Sequence, residues 1–187
     1  RVNRINGHYY GFAGVKMIPN HWYPTDEAVF PVYEKIEELG VPVIFHSGIL
    51  YGYRDGSRFC RPALYEALIN FTKVRFALAH IGWPWVDECL AVAGLFLAHS
   101  RRTGQPMQMW IDTTPGTPPL WRAEALRKAL VYLGDEHLLW GSDASAGGYA
   151  AGQVLAQDRR ILRSILGAGL ETERRWMGEN VLRFLGL

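Results

Sequence analysis

Cysteine is scarce. Cys60 and Cys89 are the only two in 187 residues, and they stand in unlike settings with no Cys-x-x-Cys spacing. That excludes a disulfide framework and a zinc knuckle and fits a reducing, cytoplasmic compartment. Long hydrophobic runs are missing too: no apolar stretch approaches the roughly 18 residues of a membrane span, and the opening RVNRINGHYY lacks the apolar centre of a signal peptide. Neither charge dominates. Twenty Lys and Arg against 18 Asp and Glu leave a formal net charge of +2, too small and too scattered to mark nucleic acid as a partner. The one dense basic patch, HSRRTG, reads as a solvated helix end. No G-x-G-x-x-G or G-x-x-x-x-G-K-[ST] follows any apolar run, so the usual phosphate-cradling signatures are absent as well.

What the chain does have is a 49% hydrophobic share beside 20% charged residues, the balance of a globular protein able to bury one sizeable core. Five apolar runs read as strands: Gly11 to Ile18, Val41 to His46, Val74 to His80, Pro106 to Asp112 and His137 to Asp143. Between them lie stretches of helical character. DEAVFPVYEKIEELG places Val29, Val32, Tyr33, Ile36 and Leu39 at spacings of three and four and stops at Gly40. RPALYEALINF, WVDECLAVAGLFLAHSRR, WRAEALRKALVYLG, AQDRRILRSILGAGL and TERRWMGENVLRFLGL supply the others. Strands that are apolar throughout, alternating with helices, imply an α/β fold with a covered parallel sheet. Either a doubly wound sheet or a (β/α)8 TIM-type barrel satisfies that pattern.

Three of the runs end on polar groups: VPVIFHSG on His46, VRFALAHIG on His80 and HLLWGSDAS on Asp143. In a barrel, residues at the C-terminal ends of different strands converge on one mouth. Two imidazoles and a carboxylate are the ligand types that a divalent cation such as zinc takes, and a carboxylate touching metal and water can move the proton. Either histidine by itself could equally be a hydrogen-bonded structural residue. Asp112 in WIDTT is a further site candidate or a cap for its own loop. Lys16 could hold a substrate anion or point outward as a salt-bridge lysine, and His21 could line the mouth.

The ordered motifs GVKMIP, EELGVPVIFHSG, RPALYEALINF, VRFALAHIGWPW, WIDTT, LLWGSDAS and GENVLRFLGL resemble the amidohydrolase-related family of metal-dependent hydrolases, over nearly the whole chain. The resemblance implies a distorted (β/α)8 barrel with one metal, most often Zn, with Mn possible. His46 would be a metal ligand, Asp143 a metal-linked acid/base and His80 the group that polarises substrate or orients hydroxide. Arg54 and Arg58 would be carboxylate clamps, or else plain surface arginines, and Trp83 would wall the pocket or simply pack it. The family's first-strand His-x-His pair has no counterpart here. On that resemblance strands four to eight are present, so residues 1–187 are expected to form a single domain, the C-terminal part of a barrel, with the metal site incomplete without N-terminal ligands. The activity implied is hydrolysis of a small, anionic substrate by metal-activated water. The alternatives are decarboxylation of an aromatic or unsaturated acid by a lyase on the same residues, and a non-catalytic ligand-binding barrel. The partner expected is a small molecule, with no nucleic acid and no membrane, and a homo-oligomer is possible.

Overall fold

The computed structural model describes residues 2–5, 8–144 and 151–187. A hairpin opens the chain, with β1 (Val2–Ile5) antiparallel to β2 (His8–Gly11). Five parallel strands follow in strict chain order: β3 (Val15–Met17), β4 (Val43–Phe45), β5 (Phe76–Leu78), β6 (Met109–Asp112) and β7 (Leu138–Leu139). A doubly wound sheet reverses its strand order at a switch point, whereas successive barrel strands do not. The observed order is the barrel's.

The register Lys16–Ile44–Ala77–Trp110 runs across the sheet and separates its two faces, because strand side chains alternate. Val43, Phe45, Phe76, Leu78, Met109, Ile111 and Leu138 point to the helical side, where they join the main core with Tyr33, Leu68, Phe96, Leu126 and Trp176. Ala77, Trp110 and Leu139 point the other way, and Phe184 packs on them from the last helix. Both faces are apolar, which is why the strands show no polar alternation in sequence.

The helices are α1 (Phe30–Leu39), α2 (Val86–Thr103), α3 (Pro119–Leu133), α4 (Ala151–Arg160), α5 (Leu170–Arg174) and α6 (Asn180–Leu185). α1 carries Pro31 in its first turn and ends at Gly40, whose φ of 64° closes it. Only Tyr33 and Ile36 of its expected apolar face are fully buried; Val32 and Leu39 are exposed. RPALYEALINF forms successive 3-10 turns, Pro62–Asn70, instead of the α-helix its composition suggests. Short π-helical segments, Ile161–Ile165 and Arg175–Glu179, follow α4 and α5. No helix among the described residues is long and apolar enough to cross a membrane.

His137, just before β7, lies against the Trp110 ring with centroids 4.6 Å apart. Burial, and then the Arg183 charge, hold its pKa below the usual histidine value. The unfolded chain therefore takes up a proton below about pH 6.5 that the folded chain resists. Stability is expected to fall as pH drops below that value, and urea midpoints should show a smaller acid loss in His137→Gln than in the wild type. An equal loss in both would show that this ring contributes nothing.

Candidate active site

The ends of the parallel strands are tied to one another before they carry any chemistry. After β4, His46 continues the ladder by donating its N–H to the Met17 carbonyl, 2.8 Å away, and its own carbonyl accepts from the buried Tyr65 hydroxyl at 2.6 Å. Ser47 Oγ donates to the Ala79 carbonyl at 2.6 Å. Gly48 then turns with φ 94°, its Cα so close to the Trp83 carbonyl that a Cβ would stand 2.2 Å from that oxygen. Only glycine fits there. Ile49 N–H donates to the same carbonyl at 2.9 Å, which fastens the loop after β4 to the loop after β5.

That second loop is unusual. His80, Ile81 and Gly82 stand in succession in the left-handed region, at φ 61°, 53° and 64°. Left-handed backbone costs roughly 1–2 kcal/mol for each L-residue, and it holds here because the Ile81 side chain is fully buried in the main core. The turn leaves His80 facing His46, with ring centroids 5.0 Å apart and planes at 64°. After β6, buried Asp112 accepts from Thr114 N–H at 2.7 Å and from the Thr114 hydroxyl at 3.2 Å. After β7, Asp143 also adopts a positive φ, 52°, and is exposed.

His46, His80, Asp143 and Trp83 line one cleft of about 200 Å³, with Tyr51 and Gly116 on its walls. The structure thus brings these four residues together. Burial pushes the His46 pKa down to about 4, with the neighbouring His80 and Lys16 charges adding to it, while the Ile49 carbonyl and Asp143 work the other way. His46 Nε2 lies 3.1 Å from the Ile49 carbonyl oxygen, which can only accept. The ring's proton therefore sits on Nε2, and Nδ1 carries the lone pair. Lys16 is exposed on the outer strand of the sheet, yet desolvation of its amine lowers its pKa against the charges of Asp112 and Asp143.

Other expected residues lie elsewhere. Arg58 pairs with Asp55 at 3.2 Å and stacks over Phe59, and Arg54 is exposed; neither lines the cleft. The loop carrying them folds back through Leu50 N–H to Ser57 Oγ, a path that no local pattern encodes. His21 bonds its neighbour Asn20 and is exposed. Thr114 and Gly116, which sequence reasoning passed over, are part of the site; the turn signal Pro115-Gly116 directly after WIDTT was the available clue. Among the described residues, no three His, Cys, Asp or Glu side chains come together closely enough to hold a metal ion by themselves.

Residues 4–187 match the amidohydrolase family. The chain belongs to that family. No curated protein sequence matches this amidohydrolase family member; solved structures do. A TIM-barrel protein from Bordetella bronchiseptica is 19% identical with a TM-score of 0.67, over 93% of this chain and 57% of the other. For a 5-carboxyvanillate decarboxylase from Sphingomonas paucimobilis the values are 18% and 0.64, over 94% and 58%. For an amidohydrolase from Burkholderia multivorans with bound Zn they are 15% and 0.62, over 93% and 64%. This amidohydrolase family member thus shares the barrel fold of these proteins and spans somewhat under two thirds of their length.

Proposed function

We infer that the chain is the C-terminal part of a metal-dependent hydrolase acting on a small, anionic substrate. The observation that carries this reading is the convergence of His46, His80 and Asp143, from the ends of three different strands, on one cleft of about 200 Å³. The donor types fit a divalent cation: a neutral imidazole with a free Nδ1 and a carboxylate are what zinc or manganese takes. His46 and Asp143 would hold the ion, and in this proposal the remaining ligands lie outside the 187 residues. When bound, the cation supplies Lewis acidity at the cleft. Asp143, solvent-facing and unencumbered by burial, receives the proton of the attacking water and returns it to the leaving group. His80 holds the water or substrate oxygen in line, and Trp83 walls the cleft against larger substrates. Lys16, next to the same acids, supplies a positive charge for an anionic substrate.

A second reading, decarboxylation of an aromatic or unsaturated acid, takes support from the fold likeness to the Sphingomonas decarboxylase. It uses the same residues, with Asp143 giving its proton to carbon. Product analysis separates the two, since carbon dioxide release without water uptake belongs to the second alone. The test common to both is elemental analysis after zinc or manganese loading. Near-stoichiometric metal is expected in the wild-type protein that carries the remaining ligands, with loss in His46→Ala and Asp143→Asn. Metal that survives both substitutions would overturn the ligand assignment.

A further inference from the structure

His80 is surrounded by groups whose hydrogen-bonding roles are fixed. Its Nδ1 lies 2.9 Å from Thr114 Oγ1 and 3.4 Å from the Thr114 carbonyl oxygen. The carbonyl can only accept. The Thr114 hydroxyl has one proton, and the buried Asp112 carboxylate takes it at 3.2 Å through Oδ2 while its Oδ1 accepts the Thr114 N–H at 2.7 Å. Both Thr114 oxygens therefore face Nδ1 as acceptors. Gly116 closes the same side of the ring: a Cβ there would stand 2.6 Å from His80 Cβ and Cγ and 2.9 Å from Nδ1.

We propose that Asp112 and Thr114 are positioning residues that hold His80 as its Nδ1–H tautomer, so that Nε2 carries the lone pair and serves the cleft as a hydrogen-bond acceptor. The proposal rests on the hydrolase reading above and narrows it. In its neutral form His80 has no proton at Nε2 to give a developing oxyanion; it accepts the O–H of the attacking water and aims the oxygen lone pair at the substrate, while Asp143 takes the proton. His46 is set the other way, with its proton on Nε2 facing the Ile49 carbonyl. Two rings 5.0 Å apart thus present different nitrogens as acceptors, each chosen by a carbonyl behind it. Asp112 accordingly does more than cap its loop.

The rival arrangement reverses every proton: a protonated Asp112 donates to Thr114 Oγ1, the hydroxyl donates to Nδ1, and Nε2 keeps the hydrogen. Burial raises the Asp112 pKa and pulls toward it, while the Thr114 N–H and the His80 and Lys16 charges pull back. It would also set a bare Nδ1 lone pair against the Thr114 carbonyl.

Long-range proton–nitrogen correlation spectra of the full chain, ¹⁵N-labelled at histidine, at neutral pH and without added metal, decide between the two. His80→Gln assigns the signals. The expected wild-type pattern is a pyrrole-type Nδ1 and a pyridine-type Nε2 at His80, the reverse of the preference of free histidine. Thr114→Val, which removes the hydroxyl at nearly constant shape, should shift the pattern toward Nε2–H, and Thr114→Ser should keep it. A wild-type Nε2–H signature overturns the proposal, and so does a Thr114→Val spectrum identical to the wild type. Zinc added afterwards tests the other reading separately. Loss of the pyridine-type His46 Nδ1 signal supports metal binding, and its persistence in the protein that carries the remaining ligands sinks the metal-dependent hydrolase while the His80 result stands.

Discussion

Arg122→Ala is expected to destabilise the protein by about 3–5 kcal/mol, the cost of leaving one charge of a buried pair without its partner. Arg122 is 3% exposed and Asp158 is 0% exposed, and the two meet through a fork, Nε to Oδ1 at 2.7 Å and Nη2 to Oδ2 at 2.6 Å. Asp158 also accepts from Trp140 Nε1 at 3.0 Å, and Arg122 Nη2 donates to the Thr113 carbonyl at 2.8 Å. One ion pair therefore joins α3 to α4 and reaches the backbone on which Asp112 and Thr114 stand, as well as the residue three before Asp143. Since a domain's whole stability is about 5–15 kcal/mol, the loss should appear as a large fall in the urea midpoint. Arg122→Met combined with Asp158→Leu should recover much of it, because the expense lies mainly in the orphaned carboxylate. A midpoint for Arg122→Ala within error of the wild type would show that the pair contributes nothing net.

Asp143→Asn is expected to lower turnover of the substrate found by a hydrolase and decarboxylase screen by about 10²–10⁴-fold, the usual range for one general acid–base group. Asn keeps the size of the side chain, but it is a much poorer cation ligand and cannot carry the proton. Asp143 is exposed at the rim of the cleft, so folding stability should stay close to the wild-type value, and that contrast with Arg122 separates a chemical role from a structural one. Turnover reduced less than tenfold in the metal-loaded enzyme would remove Asp143 from the proton path.

The fold was largely legible because both faces of the sheet are apolar and the connecting helices are amphipathic. All five parallel strands fall inside the expected apolar runs, though the ladders are shorter. His46 and Asp143 follow the last residues of β4 and β7, His46 still tied to β3 by its N–H on the Met17 carbonyl. The opening hairpin was missed even though Asn6-Gly7, the strongest short-range hairpin dipeptide, stands between its strands. The strand-end positions of His46, His80 and Asp143 could be read from the apolar runs, but the hydrogen bonds that fix a ring's proton could not. Those depend on carbonyls brought in by the fold: Ile49 from a turn three residues away, and Thr114 from the loop after the next strand. Arg54 and Arg58, which do not line the cleft, mark the same boundary, because the path of an irregular loop follows from what it packs against.

Parallel pairing in strict chain order has a kinetic consequence. Val43 pairs with Phe76, and Phe76 with Met109, so each partner arrives only after an entire crossover has been threaded back onto the sheet. Every parallel ladder is a non-local contact, the kind that makes folding slow. The cleft draws a residue from beyond β4, β5, β6 and β7, so no local segment can assemble it in advance. Its reappearance during refolding is a clock for the last register to close.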